Sequence, residues 1–340
     1  MTHPRLRIGI AGIGRMGRRH AENIAHKVAE SELVAVCTPV AEELEWAKRE
    51  LGVTQLYTDY AVMLARAEID AVFVVTPTTL HAQQIVDALR ARKHVFSEKP
   101  LSLDVAECRR VEAEAALQPD LKVMIGFVRR FDESYRRAHA LIREGRIGRP
   151  LMVRSHTLDQ NDPSGFFVRY SQASGGIFVD MSVHDVDAAR WLLGVSDVAR
   201  VFATGLVGLH ERLREWRDVD NGVATCEFVT GEIATIYASR TMAHGFECTT
   251  EVIGTKGRVL VGGDARRDHV VISDEHGVRH ECTPTFYERF ADAFLREDSE
   301  FVQAVIEDRP PPLTLRDATE ATRITLALRQ SLLERRVVTL

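Results

Sequence analysis

The segment "IGIAGIGRMGRRHAENI", residues 8–24, indicates the fold of the first half of the chain. An apolar, strand-like run ends at Gly12, Gly14 and Gly17, which have G-x-G-x-x-G spacing, and a helical pattern follows directly. In this context the first glycine makes a tight turn, the second lets the backbone approach a pyrophosphate, and the third allows helix and strand to pack closely. The phosphates would then bind at the positive end of the helix. The residues predicted to hold a dinucleotide here are Gly12, Ile13, Gly14, Arg15, Met16 and Gly17.

Strand and helix patterns alternate from residue 5 to about residue 126. The predicted strands are "LRIGIAG", "LVAVC", "AVFVV", "HVFSE" and "KVMIGF", and the predicted helices lie near 15–29, 40–51, 79–92 and 104–117. Continuous apolar strands that alternate with helices are typical of a parallel sheet covered on both faces. Residues 1–126 are therefore predicted to form a Rossmann domain of the α/β class.

The pattern changes after residue 150. Strands are predicted near 151–158, 198–207, 222–229, 232–240, 246–253 and 257–261, without crossover helices between them. A last helix is predicted over about 315–335, where Thr314 and Asp317 form a loose capping box. Residues 127–340 are therefore predicted to form a second α/β domain on an open, mainly antiparallel sheet, with the last helix able to pack back on the first domain.

Composition argues against several classes of protein. The 340 residues are 45% hydrophobic and 27% charged, and the net charge of −5 is spread in mixed signs, which argues against a nucleic-acid partner. No run of about 18 apolar residues predicts a membrane span, and residues 1–14 lack the pattern of a signal peptide. Five cysteines without a CxxC pair fit reduced thiols. We expect a cytoplasmic protein with no membrane or nucleic-acid partner.

The end of the second predicted strand departs from the usual dinucleotide site. A NAD-binding fold normally places an Asp or Glu there to bind the ribose 2′-hydroxyl. This chain has Cys37 and Thr38 instead, and no arginine stands there to hold a 2′-phosphate. The expected cofactor is a dinucleotide, NAD with NADP possible, and Cys37 and Thr38 would lie beside it. The missing acid leaves the choice between the two open.

Two further strand ends carry polar groups. "VVTPTTLH" and "VFSEKP" each follow an apolar strand, and ligands of open parallel sheets collect at such ends. Lys99 is placed to donate a hydrogen bond to a substrate oxygen, although "EKP" alone more often marks a surface Lys–Glu pair. The residues predicted to contact the cofactor here are Thr76, Pro77, Thr78, His81, Glu98 and Lys99.

The stretch "GGIFVDMSVHDVDAARWLLG", residues 175–194, is predicted to be one helix. Asp180, His184 and Asp187 follow at spacings of four and three, which places them along one side. A solvated stripe and a proton-handling face both fit this pattern. A metal site that adds Asp185 is not predicted, because oxygen-rich metal sites usually recruit Asp from a loop at varied spacing.

These motifs occur together in one known family. The G-x-G-x-x-G turn, "EKP", "GFVRRFD" at 126–132 and "GGIFVDMSVHDVD" at 175–187 resemble, in order and separation, the Gfo/Idh/MocA oxidoreductases. The resemblance implies a Rossmann domain followed by an α/β domain on an open, mainly antiparallel sheet. It also implies a homotetramer that associates through those sheets.

The resemblance also implies roles for individual residues. Lys99, Asp180 and His184 would be the catalytic residues and would contact the substrate. Glu98 would lie near the nicotinamide ribose. The further substrate contacts implied are Arg129, Asp187 and residues within 155–162.

Within the family the chain is most similar to enzymes that oxidise a secondary hydroxyl of a cyclic polyol, with myo-inositol as the expected substrate. His184 would take the proton, Asp180 would orient its ring, and Lys99 would hydrogen-bond the reacting oxygen. Three alternatives stay open: the same chemistry on scyllo-inositol or another sugar or polyol, glycoside hydrolysis with a tightly held NAD, and a ligand-sensing regulator that has lost catalysis.

Overall fold

A computed structural model describes residues 5–195 and 197–340 of the chain, so the first four residues of the segment 1–14 lie outside the described residues. The chain divides into two compact units. Unit 1 comprises the described residues up to Val128 together with Asp292–Thr319, and unit 2 comprises those of Arg129–Ala291 together with Glu320–Leu340. The predicted domain division at 126/127 stays a prediction, because unit 1 also includes this later segment. None of the helices in the described ranges is long and apolar enough to cross a membrane.

The strands follow the predicted pattern, with additional short ones. All eleven predicted strands are present, and short additional strands lie at Gln55–Tyr57, Ile272–Asp274, Gly277–Arg279 and Val338–Thr339. In chain order the strands are β1 (Leu6–Ala11), β2 (Ser31–Cys37), β3 (Gln55–Tyr57), β4 (Ala71–Val74), β5 (His94–Glu98), β6 (Val123–Gly126), β7 (Pro150–Gln160), β8 (Val198–Leu206), β9 (Asn221–Phe228), β10 (Ile233–Met242), β11 (Glu247–Gly254), β12 (Gly257–Val261), β13 (Ile272–Asp274), β14 (Gly277–Arg279) and β15 (Val338–Thr339).

The helices include every one that the sequence predicted in the first half of the chain. In chain order they are α1 (Arg15–His26), α2 (Ala41–Leu51), α3 (Tyr60–Arg66), α4 (Thr78–Arg90), α5 (Val105–Ala116), α6 (Glu133–Arg143), α7 (Phe166–Ser174), α8 (Ile177–Asp180), α9 (Val183–Leu193), α10 (Phe286–Arg289), α11 (Ala291–Ile306) and α12 (Leu315–Glu334). Short 3₁₀ turns lie at Val128–Phe131 and Glu211–Trp216.

Unit 1 is built on a parallel sheet, as predicted. Its six strands lie in the order β3-β2-β1-β4-β5-β6, and every neighbouring pair is parallel. Strand β4 is buried along its whole length and β5 along all but its first residue. Such continuous apolar strands are stable when helices cover both faces of the sheet. The carboxyl ends of β1, β2, β4 and β5 therefore lie along one edge, where the predicted cofactor residues are found.

Unit 2 is built on a larger, mixed sheet. Its seven strands lie in the order β12-β11-β7-β10-β9-β8-β15, and five of the six neighbouring pairs are antiparallel. The exception is the parallel pair β7–β10. This confirms the predicted α/β class with a mainly antiparallel sheet.

The predicted single helix over 175–194 is wrong, because it is broken in the middle. Helix α8 ends at Asp180 and α9 begins at Val183. At the break the Ser182 N–H donates to Ile177 O, five residues back, and the His184 N–H donates to Met181 O, three residues back. An unbroken helix would bond every fourth residue. Asp180 and His184 therefore lie on two successive helices, and the continuous stripe does not form.

The last helix begins as predicted. Backbone N–H of Thr314 donates to Asp317 Oδ2 at 2.9 Å, and backbone N–H of Asp317 donates to Thr314 Oγ1 at 3.2 Å. This reciprocal capping satisfies two of the N–H groups that a helix start leaves unpaired.

A buried polar cluster lies inside unit 1 and joins three elements. The two ring nitrogens of His20 on α1 lie 2.7 Å from Asp298 Oδ1 on α11 and 3.1 Å from Glu98 Oε1 on β5. The Asn23 side-chain amide donates to the second oxygen of Asp298 at 2.9 Å. Glu297 is buried against the same cluster. One side-chain oxygen or nitrogen atom from each of His20, Glu98 and Glu297 lies within 4.8 Å of the other two.

The cluster raises the pKa of both His20 and Glu297. Burial alone would lower the pKa of the His20 imidazole, but the charges and hydrogen bonds of Asp298 and Glu98 outweigh it and raise that pKa well above its usual value. Burial and the charge of Glu98 raise the pKa of Glu297 well above its usual value. His20 is therefore held as an imidazolium between carboxylates, and Glu297 as a neutral acid.

We predict that the His20 ring carries both protons at pH 7.5. An unfolded histidine titrates at about pH 6.5. Stabilisation by the protonated ring is therefore complete below that pH, and it is lost at up to about 1.4 kcal/mol per pH unit as the pH rises towards the folded-state pKa. Two-bond ¹H–¹⁵N spectra of histidine-labelled protein distinguish an imidazolium from a neutral ring, and His20→Gln identifies the signal.

His94 supplies an internal control for that measurement. Its Nδ1 accepts the backbone N–H of Lys122 at 3.0 Å, which requires an unprotonated ring nitrogen, and burial lowers its pKa. Its ring should give a neutral-tautomer spectrum in the same sample. A neutral His20 ring at pH 7.5 would contradict the assignment of charge.

Candidate active site

The glycine-rich turn of unit 1 has the shape that a pyrophosphate site requires. Gly12 has φ +84°, and a Cβ there would lie 2.4 Å from Val75 O. A Cβ at Gly17 would lie 2.0 Å from Gly12 O, so only a glycine lets α1 approach β1 this closely. Gly14 precedes α1, whose first turn contains no acidic residue. The start of this helix and the bare Gly14 backbone fit bound phosphates.

The end of β2 borders this turn. The Gly12 N–H donates to Cys37 O at 2.9 Å, and the Thr38 N–H donates to Tyr57 O at 3.0 Å. Cys37 and Thr38 are both buried. Burial, with a smaller effect of the Asp59 charge, raises the pKa of the Cys37 thiol to about 11, so that thiol is neutral at physiological pH. Neither side chain supplies the negative charge that is usual at this place.

The ends of β4 and β5 are tied together behind Lys99. His81 on α4 is buried, and its ring nitrogens lie 2.9 Å from Pro100 O and 2.8 Å from Thr76 O. These contacts hold the Lys99–Pro100 turn, whose peptide bond is cis, against the end of β4. His81 thus stabilises the turn, and its predicted contact with a cofactor stays a prediction.

Glu98 and Lys99 leave the sheet in different environments. Glu98 is buried, and its carboxylate accepts from the backbone N–H of Lys99 at 3.0 Å as well as from His20. Burial would raise the pKa of Glu98, but His20 and the Lys99 charge lower it, so the carboxylate is ionised. Lys99 is half-buried. Of the other predicted contacts at these strand ends, Thr78 is buried and Pro77 is exposed.

In unit 2, burial singles out two of the predicted catalytic residues. Every residue from Ser174 to Arg190 is buried except Asp180 and His184, which are partly exposed. Asp180 is the last residue of α8, and His184 lies in the first turn of α9. One carboxylate and one imidazole are therefore partly exposed within an otherwise buried segment. A solvated stripe would expose Asp187 too, and Asp187 is buried.

Asp180 has a partner that the sequence did not predict. Arg240 on β10 donates through Nη2 to Asp180 Oδ2 at 2.6 Å and through Nε to Met181 Sδ at 3.0 Å. Its guanidinium lies 4.7 Å from the centroid of the Phe167 ring, and the side chain is 2% exposed. The signal for it was an arginine inside the otherwise uncharged strand "IATIYASRTM". The partner itself depends on tertiary packing, which no spacing rule shows.

The implied substrate residues Arg129 and Asp187 are both engaged in buried ion pairs. Arg129 donates to Asp185 Oδ1 at 2.7 Å, and it also donates to the Thr157 hydroxyl. Arg130 donates to both oxygens of Asp187, at 2.9 and 2.6 Å. These pairs anchor α9, and a substrate contact by Arg129 or Asp187 stays a prediction.

Residues 155–160 of the implied substrate segment 155–162 lie in β7, where successive side chains point to opposite faces. The Ser155 hydroxyl donates to Asp185 Oδ1 at 2.6 Å, and the Thr157 hydroxyl donates to the same carboxylate at 2.9 and 3.0 Å. His156 alternates to the other side and lies 2.9 Å from Glu247 Oε1. The first half of the segment therefore supports α9 and the sheet.

Comparison with characterised proteins gives consistent results over the whole chain. Myo-inositol 2-dehydrogenase of Thermotoga maritima is 35% identical over 98% of this chain and 98% of its own. Scyllo-inositol 2-dehydrogenase (NAD(+)) of Bacillus subtilis is 35% identical over 97% of this chain and 95% of its own. The crystal structure of scyllo-inositol dehydrogenase from Lactobacillus casei with bound NAD(H) and scyllo-inositol superposes with a TM-score of 0.95. It is 38% identical and covers 98% of this chain and 99% of that one.

The family assignment covers both parts of the chain. Residues 6–127 match the oxidoreductase family, NAD-binding Rossmann fold, and residues 139–340 match the oxidoreductase family, C-terminal alpha/beta domain. The glycine-rich turn, the "EKP" turn and the partly exposed Asp180 and His184 stand within these two matches. The chain belongs to the Gfo/Idh/MocA oxidoreductase family.

Proposed function

We propose that this oxidoreductase is an inositol 2-dehydrogenase, which oxidises one secondary hydroxyl of the inositol ring with NAD. The observation that carries the proposal is the selective exposure of Asp180 and His184 in an otherwise buried segment. Family membership supports it, as do relatives named for myo-inositol and scyllo-inositol. Myo-inositol is the expected substrate, and the scyllo isomer is a second candidate because a 38% identical structure carries it.

The proton of the hydroxyl is proposed to go to His184. A histidine ordinarily titrates near neutral pH and can take that proton and pass it on to solvent. Asp180 would orient the imidazole and balance the charge that forms, as carboxylates do for histidine in other relays. Its ion pair with Arg240 keeps the Asp180 carboxylate in place at the end of α8.

Lys99 is proposed to hydrogen-bond the reacting oxygen. An ammonium group favours the negative charge that develops on that oxygen as its proton leaves. The turn that presents Lys99 is held by His81 and Pro100 from one side and by the buried Glu98 from the other. This arrangement fixes where the lysine stem begins.

The dinucleotide would be held by residues 12–17, 37–38, 76–78 and 98–99 of unit 1. When bound, its nicotinamide ring supplies the acceptor for the hydride that leaves the carbinol carbon. Glu98 is proposed to lie near the nicotinamide ribose. Arg129 and Asp187, together with the segment 155–162, are proposed to shape the substrate side.

The test of this function is reduced-nicotinamide formation by the purified protein. Myo-inositol, scyllo-inositol and glucose are each tested with NAD and with NADP. We expect turnover with an inositol and release of reduced cofactor into solution. Dinucleotide binding without turnover on any of these substrates would favour the ligand-sensing regulator, and products of glycoside cleavage without release of reduced cofactor would favour the hydrolase.

Replacement of His184 by Asn should lower kcat by about 100- to 10,000-fold, the usual contribution of general acid–base catalysis. Dinucleotide affinity should stay at the wild-type value, because His184 belongs to unit 2. The matched control is His276→Asn, an exposed histidine beside β14, which should leave both quantities unchanged. Wild-type turnover in His184→Asn would remove this residue from the proposed role.

We further propose a cytoplasmic homo-oligomer, a tetramer by the family resemblance. All five cysteines are free thiols, which fits a reducing compartment. On the outer face of the unit 2 sheet, Phe202 is 42% exposed and Val223 is 50% exposed. Exposed apolar side chains that cluster on one sheet face are typical of an interface.

Light scattering coupled to size exclusion should therefore give four times the mass of the chain. Val223→Lys would place a charge on the proposed interface and should release smaller species. Val278→Lys, at a more exposed valine of the β13–β14 hairpin, should leave the mass unchanged. A monomeric wild type at micromolar concentration would overturn this part of the proposal.

A further inference from the structure

A carboxylate stands beside the end of β2 although the usual acidic residue is missing there. Glu43, the third residue of α2, accepts a hydrogen bond from the Thr38 hydroxyl at 2.6 Å. The Thr38 hydroxyl in turn accepts from the Val40 N–H at 3.3 Å, and Thr38 is 3% exposed. A buried threonine therefore fixes one oxygen of the half-buried Glu43 side chain.

The second oxygen of Glu43 faces the glycine-rich turn. A Cβ built on Gly14 would lie 3.8 Å from Glu43 Oε1. Beyond the local chain, no other heavy atom of the described residues lies within 4 Å of that Cβ. Gly14 is the glycine whose bare backbone lets a dinucleotide approach, so this oxygen borders the space that the cofactor would use.

We propose that Glu43 takes the place of the missing acidic residue, binds the ribose 2′-hydroxyl and makes the enzyme select NAD over NADP. The inference rests on the proposed dinucleotide-dependent function and names the residue that sets its cofactor preference. One carboxylate oxygen is occupied by Thr38, and the other is left to accept from a ribose hydroxyl, because a carboxylate only accepts. A 2′-phosphate has no such donor to offer and would bring like charges together.

Positive charges on the neighbouring helix oppose this effect. Arg15 and Arg18 are exposed on α1, and the Arg18 guanidinium lies 4.7 Å from the centroid of the Trp46 ring on α2. Both could attract a phosphate. Glu43 decides the preference because a buried residue fixes its carboxylate at the turn itself, whereas the exposed arginines are screened by solvent.

The experiment measures the dissociation constants of NAD and NADP by calorimetry, without any polyol. Glu43→Gln is isosteric and still accepts from Thr38, but it removes the charge. The loss of a charged hydrogen-bond partner and of its repulsion should change the ratio of the two constants by about tenfold or more. NADP should bind more tightly, NAD more weakly, and the melting temperature should stay near that of the wild type.

Glu42→Gln is the matched control. It removes the same charge from the same helical turn at an exposed position, and the ratio should stay unchanged. A second variant, Thr38→Val, removes the hydrogen bond that fixes the Glu43 carboxylate. It should reduce the preference for NAD over NADP by a smaller factor than Glu43→Gln does.

The outcomes separate this inference from the proposed function. A wild type that prefers NADP, an unchanged ratio in Glu43→Gln, or an equal change in Glu42→Gln would overturn the role of Glu43. Each of these leaves a dinucleotide-dependent enzyme in place. A wild type that binds neither dinucleotide would overturn the proposed function itself, and the Glu43 inference with it.

Discussion

The contact on which unit 1 depends is the buried His20 imidazole between two carboxylates. It joins α1, β5 and α11, although His20 and Asp298 lie 278 residues apart in the sequence. Burial of ions is costly unless each has a partner in good geometry. Here the imidazolium, the carboxylates and the Asn23 amide supply those partners. The same hydrogen bonds fix the Glu98 carboxylate, which accepts from the backbone N–H of Lys99. The cluster therefore holds the backbone of the proposed catalytic lysine in position.

Unit 2 uses buried ion pairs in the same way. Asp185 is held by Arg129 and Asp187 by Arg130, and both pairs close α9 against its neighbours. Removing one member of such a pair would leave an uncompensated buried charge, which is strongly destabilising. The polar residues around the start of α9 are therefore divided between buried ion pairs and partly exposed positions. Asp185 and Asp187 hold the helix, whereas Asp180 and His184 on either side of its start remain accessible.

Much of this arrangement could be predicted from the sequence because it depends on local patterns. Apolar strands, the spacing of Gly12, Gly14 and Gly17, and the capping pair Thr314–Asp317 each leave a signature within a few residues. Three features leave no such local signature: the break after Asp180, the Arg240 partner and the position of Glu43. The residues at the helix break, "DMSV", include no proline or glycine that would mark it. Arg240 and Asp180 are 60 residues apart, so no local spacing connects them. Glu43 was hidden because the usual rule looks for the acid on the strand, and here the following helix supplies it.

The return of the chain to unit 1 limits how this protein can be divided. Residues 1–128 contain the glycine-rich turn and the whole parallel sheet, and they look like a self-sufficient module for engineering or for a fusion protein. Cut out alone, they would lose Asp298, and His20 would keep Glu98 as its sole carboxylate partner from the cluster. The Phe73–Phe96 ring stack would also lose Phe301, which packs edge-on against it. A transplantable version of this nucleotide module must therefore carry the 292–319 segment with it, joined by a new linker.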